Sequence, residues 1–461
     1  MLPLFHHRSL FLLSQFHITQ IRFQHGDHNS CDRNSVGDMS PMRSIDSFLH
    51  GVLQQYDKHI YLSGAYDKDG QYQQPSLAND ILPMFSRWAT GPGQKHTAHV
   101  LPILRPALRL ASRLLMDDYC LTWFTHLTFG ERRIDACGSY IKANPHSTTP
   151  EAISAVKRNI RQVGKVITFM FEPGGYEIPA YGSCTAKKSH RDFYNDFHKT
   201  DWPRVSSSDD TGHARPCVVM QRAFLRFLRD RYSSASQDET YRVLILFAIT
   251  LVHEFAHAYN FWLTPEYAQG EEPRWCQEDK EAELGWSWER SIIGYGLNEF
   301  RLQSDDKGRF RHLYQVKILE YHSSAERAAA FQSLAGSNRT DQPFTKCDAR
   351  GIKTRPLLLD GNEFKHSKTW FENSRKASHF FAAIQTIPMD WIVAWFNEAE
   401  WKHREAYWAE KGFYVRPSLH NSFMVLYERS GNNASTMRPI NPTISADREI
   451  MRRRAQGLTD C

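Results

Sequence analysis

Apolar side chains recur at three- and four-residue spacing through much of the chain. In "SIDSFLHGVLQQYDKHIYL" (44–62) and "AHVLPILRPALRLASRLLMDDYCLTWFTHL" (98–127) that period predicts helices sharing one core, with Pro106 kinking or dividing the second. "STTPEAISAVKRNIRQVGK" (147–165) adds a serine or threonine cap and Pro150 near the first turn, which predicts a further helix. The period then changes. "VITFMFE" (166–172) is rich in β-branched and aromatic residues and stops at Pro173, Gly174 and Gly175, so it reads as a strand. Residues 173–215, marked by glycine and serine, read as loop, and "CVVM" (217–220) as a second short strand.

A helix over 221–232 leads into "SSASQDE" (233–239), where Ser236 and Glu239 have the spacing of a capping box. From 240 to 262 the chain is apolar nearly all round, the pattern of a buried helix. Beyond Pro265, a loop with Gly270 and Pro273 precedes a helix over about 276–293, closed by Gly294 and Gly296. Residues 335–362 are loop-rich, and "IPMDWIVAWFNEAEWKHREAYWAEKG" (387–412) reads as one last helix with a heavy tryptophan load. The expected class is α+β and predominantly helical. Its parts are an arm over 1–44, a domain over 45–335 with a buried helix and a small sheet, a C-terminal helical extension over 336–430, and a disordered tail over 431–461.

Composition narrows the picture. With 41% hydrophobic, 13% aromatic and 23% charged residues, the chain is globular in character rather than disordered. A net charge of +6, spread over 57 basic and 51 acidic side chains, is too small a bias to indicate nucleic acid as a partner. The eight cysteines are scattered with no C-x-x-C pair, which argues against a zinc ribbon or disulfide scaffold and favours a reducing compartment. Residues 1–26 lack Asp and Glu and half-resemble a mitochondrial or secretory targeting segment, which translation from Met39 would remove. No run approaches the roughly 18 consecutive apolar residues of a membrane span.

The candidate chemistry lies in "LVHEFAHAYNF" (251–261), late in the long apolar helix. Residues four apart on a helix stand one above the other, so His253 and His257 present both imidazoles to one point. Glu254 falls beside that point, where a carboxylate can take a proton from a water instead of binding a cation. Two imidazoles and a carboxylate in such a helix each need a partner, or burial costs on the order of several kcal/mol. One metal ion satisfies all three. A further protein ligand is expected downstream, leaving a fourth position open. "WCQEDKEAELGWSWERSIIGYG" (275–296) offers Glu278, Asp279, Glu281, Glu283 and Glu289.

Over residues 251–296 the sequence resembles the zincin metallopeptidases, and within them the gluzincins, in which H-E-x-x-H is followed by a glutamate ligand and often a second acid four residues away. Asn260 and Leu263 stand where a metzincin would carry its glycine and third histidine, so that subclass does not fit. The resemblance implies a zincin-like domain, Zn2+ as cofactor and a peptide or protein as substrate. It further implies His253, His257 and Glu283 as metal ligands and Glu254 as general base. Asp279 then accepts a histidine N–H, "CVVM" is an edge strand for an extended peptide, and Tyr295 or Tyr259 stabilises the oxyanion. A helical-wheel count keeps Glu281, Glu278 and Asp279 as rival ligands. The alternative is a catalytically inactive interaction protein that keeps the helix with a structural metal or none.

Overall fold

The computed structural model describes residues 64–65, 70–89, 96–144, 148–172, 181–185, 215–264, 272–277, 279, 282–294, 297–299, 313–329, 358–359, 379–412, 417, 424–430 and 435–439. The helix expected over 44–62 lies outside them. The fold is α+β. Helix α1 (Thr97–Leu114) runs through both Pro102 and Pro106, which stand on the face opposite the buried Val100, Leu104 and Leu108. The division expected at Pro106 falls instead at Asp117, whose side chain accepts the backbone N–H of Cys120 at 3.0 Å and starts α2 (Asp118–Phe129) afresh. A hairpin, β1 (Glu131–Asp135) and β2 (Gly138–Lys142), follows. Helix α3 (Pro150–Val166) has Pro150 in its first turn and Thr149 as its cap.

Three short strands form the small sheet: β3 (Thr168–Phe171), β4 (Gly182–Thr185) and β5 (Cys217–Met220). β5 lies in the middle, parallel to β3 and antiparallel to β4. The expected edge role of "CVVM" is therefore corrected. The edge next to it is β4, inside a stretch read as loop. Helix α4 (Arg222–Asp230) then leads to α5 (Gln237–Leu263), which is buried on nearly every side and packs on α1, β4 and β5. By length and composition α5 could cross a membrane, but the rest of the fold covers it. Its start is not the expected capping box. Ser236 Oγ donates to Asp238, and Asp238 Oδ1 accepts the Glu239 N–H at 2.7 Å while Arg231 holds the Glu239 side chain at 3.2 Å. The carboxylate is the stronger acceptor and takes the hydroxyl's place.

The helix expected over 276–293 begins only at α6 (Leu284–Trp288), continues as one π turn (Glu289–Ile293) and ends at Gly294, whose φ is 97°. The single helix expected over 387–412 is two, α7 (Met389–Trp395) and α8 (Glu398–Lys411), because Asn397 turns out and caps α8 through the Ala399 N–H at 2.8 Å. A six-stranded antiparallel sheet was not foreseen. Its strands are β6 (Leu297–Glu299), β7 (Leu313–Glu320), β8 (Leu358–Leu359), β9 (His379–Thr386), β10 (Met424–Ser430) and β11 (Ser435–Pro439), in the order β6-β7-β9-β10-β11-β8. The sheet joins residues on both sides of the boundary expected at 335/336, so 336–430 is not a purely helical extension. β11 likewise falls within the segment read as a disordered tail.

Candidate metal centre

Helix α5 turns His253 and His257 to the same side, their ring centroids 5.2 Å apart. Glu283 meets both: its Oε1 lies 3.2 Å from His253 Nε2 and 2.8 Å from His257 Nε2. The three donor atoms fall within 4.8 Å of one another. In a tetrahedral site with bonds near 2.0–2.1 Å, neighbouring donors stand about 3.3 Å apart; the two Glu283–imidazole distances of 3.2 and 2.8 Å lie near that spacing and are also those of direct hydrogen bonds. Glu283 is held as the N-cap of α6, its Oε2 accepting the Trp286 N–H. One oxygen is thereby fixed on backbone and the other left to face the histidines.

Each histidine has its own brace. His253 Nδ1 lies 2.7 Å from Glu289 Oε1, and His257 Nδ1 lies 2.7 Å from Glu272 Oε1. A carboxylate at Nδ1 places the proton there and turns the Nε2 lone pair toward the cluster. The second oxygens are also engaged. Glu272 Oε2 accepts the Leu284 N–H at 3.2 Å, and Glu289 Oε2 accepts the Leu297 N–H at 3.1 Å. Glu272, Glu283 and Glu289 therefore all bridge α5 histidines to backbone N–H groups at Leu284, Trp286 and Leu297. The π turn carries Glu289, consistent with the frequent siting of such bulges at functional positions.

Burial is graded across the cluster. The braces Glu272 and Glu289 are 7% and 9% exposed at their side chains, the histidines 12% and 14%, and Glu283 27%. The cluster thus opens to solvent on the side of Glu283. Burial works against an imidazolium at His253, yet Glu283 and Glu289 outweigh it and raise the ring to about 10. His257 is raised likewise by Glu272 and Glu283 against the same burial. The two rings in turn hold Glu283 well below the usual carboxylate range despite its own desolvation. Positive charge on the two rings is what this field favours, whether from bound protons or from a cation.

Glu254 is buried, with Oε1 4.0 Å from His253 Nε2, and burial raises its carboxyl above the ordinary value. It lies under the start of the edge strand. A Cβ placed on Gly182 of β4 would sit 2.7 Å from Glu254 Cγ and 2.8 Å from its Oε1.

Glu283 is the expected acid that the structure places against both rings. Asp279 is not the histidine acceptor it was expected to be. Its Oδ1 faces Arg290 at 3.4 Å; the described residues 279, 282 and 283 are not helical, and Glu283 is the N-cap of α6 rather than a residue four along a helix from Asp279. Tyr259 is corrected as well. Fully buried, its hydroxyl pairs with Thr128 at 2.8 Å and Asn159 at 3.3 Å, within the core. Glu278, Glu281 and Tyr295 lie outside the described residues. Glu289, expected among possible ligands, braces His253 instead. Glu272 was not anticipated, since a glutamate before Pro273 in a loop carries no spacing signal. Compared with known proteins, the chain matches no family model, no curated protein and no solved structure.

Proposed function

We propose that the chain is a zinc-dependent metallopeptidase of gluzincin type, with His253, His257 and Glu283 holding the ion and Glu254 as general base. The observation that carries this reading is the convergence of two imidazole Nε2 atoms and one carboxylate oxygen, with Glu254 beside them. Two nitrogens and one oxygen form a donor set suited to zinc, and three protein ligands among the described residues are the number at which a coordination position stays open. Zinc held there would act as a Lewis acid and bring a water's pKa toward neutrality.

The chain's own groups supply the rest. Glu254, with its raised pKa, accepts a proton at its carboxylate and returns it to the departing amine. Strand β4 stands at the sheet edge with its first residue against Glu254, so an extended peptide added to β4 would run past that carboxylate. Tyr295 is the remaining candidate for stabilising the oxyanion. The metal-free alternative called for histidines hydrogen-bonded to neighbouring side chains, as His253 is to Glu289 and His257 to Glu272, and for no carboxylate near both rings, whereas Glu283 is near both.

The test is hydrolysis of a fluorescence-quenched peptide library by zinc-loaded wild type and by zinc-loaded Glu254→Gln. The wild type is expected to cleave, and the variant to lose roughly a hundred-fold or more in kcat while keeping its zinc. Equal cleavage by the two proteins would sink the proposal.

A further inference from the structure

Between Glu272 and Glu283 the described residues form no helix or strand, yet this segment delivers the brace of His257 and the acid shared by both rings. Fixing irregular backbone costs conformational entropy at every residue, so something must hold it. Arg274 does so in two ways. Its backbone lies alongside β2, donating to the Ser139 carbonyl at 2.9 Å and accepting from the Ile141 N–H at 3.0 Å. Its guanidinium, only 5% exposed, donates from Nη2 to Asp135 Oδ1 at 2.5 Å and from Nη1 to the carbonyls of Gln277 at 2.6 Å and Asp279 at 3.2 Å. One side chain thus ties the hairpin to the segment on its way to Glu283. Trp275 adds a second anchor: its carbonyl lies 2.7 Å from His126 Nε2, and its indole N–H donates to the Trp123 carbonyl on α2 at 3.3 Å.

We infer that Arg274 is a positioning residue for the metal centre, acting through Asp135 on the β1–β2 hairpin to set where Glu272 and Glu283 stand. The inference rests on the zinc reading above, but touches no ligand. A planar fork reaches all of these acceptors at once, which an ammonium on a flexible stem does not. The hairpin is then a clamp on metal retention, far along the chain from the histidines it serves.

The experiment compares wild type, Arg274→Lys, Asp135→Asn and Arg133→Ala for zinc affinity, for the visible absorption of the cobalt-substituted protein, and for thermal melting. Arg133 lies on the same hairpin but pairs with exposed Glu131 at 2.6 Å, so its variant is the control. Arg274→Lys is expected to weaken zinc binding by about ten-fold or more and to shift the cobalt bands, Asp135→Asn to act in the same direction less strongly, and Arg133→Ala to match wild type. A purely structural role would lower the melting temperature and leave the cobalt spectrum unchanged. Wild-type spectra and affinities in both Arg274→Lys and Asp135→Asn overturn the inference. Should Arg274→Lys not fold, Asp135→Asn alone decides it, since Asp135 is a partly exposed hairpin residue. A wild type that takes up neither cobalt nor zinc defeats the zinc reading itself, and the two failures are told apart.

Discussion

A Cβ on Gly285 would lie 2.3 Å from Cδ2 and Nε2 of His253, so the first turn of α6 approaches that imidazole more closely than any side chain permits. Glu289 pins the far side of the same ring at 2.7 Å. The ring is therefore held between a brace and a bare backbone, and it has no room to yield.

Gly285→Ala tests this directly. The added methyl must push His253 off its line to Glu283, and zinc affinity is expected to fall roughly ten- to hundred-fold, the usual consequence of disturbing a ligand's support. Competition with a chromogenic chelator measures it. Unchanged affinity in a folded variant would remove the geometric account of this residue.

Gly182→Ala probes the other wall. There the methyl meets Glu254 and the Thr250 Cγ2 at 2.9 Å, while no metal-facing atom is among its nearest neighbours. Zinc content should stay at the wild-type level and kcat should drop by roughly ten- to hundred-fold as the base is displaced. A variant that loses zinc but keeps its turnover per bound ion would reverse the assignment of Glu254 and the edge strand.

Tyr259→Phe separates core from chemistry. Because the hydroxyl is spent on Thr128 and Asn159, peptide cleavage should be preserved, with a stability loss of about 1 kcal/mol at neutral pH. Burial pushes this phenol up to about 12 from 10. The folded state prefers the neutral ring, so stability is undiminished by this group below pH 10 and declines as pH rises from 10 through 12, by an amount on the order of 2–3 kcal/mol relative to neutral pH. Tyr241 is also raised to about 12 by burial, so the variant should show a shallower alkaline decline in denaturation curves, not a flat one. A lost activity with unaltered alkaline behaviour would return Tyr259 to the catalytic candidates.

What could be read from the residues alone divides along a physical line. Helix α5 was legible because its apolar pattern is long and all-round, and the four-residue spacing of His253 and His257 needs nothing beyond that helix. Glu283 came from a helical argument that does not hold, since the helix starts only after it and the residue acts as a cap. Glu272 and Gly285 act through contacts between segments distant along the chain, and no local pattern marks them. β4 is "GSCT", without a β-branched or aromatic run, and becomes a strand only by pairing with β5. The six-stranded sheet was hidden for a related reason: apart from β10 and β11, which are neighbours in sequence, its paired strands are separated by long connections, and their pairing is decided far from any one segment.

Zinc quantification in purified wild type beside His253→Ala is the most direct measurement of the central claim. The convergence of His253, His257 and Glu283 predicts about one zinc ion per wild-type chain and essentially none in the variant. The same zinc content in both proteins would contradict it.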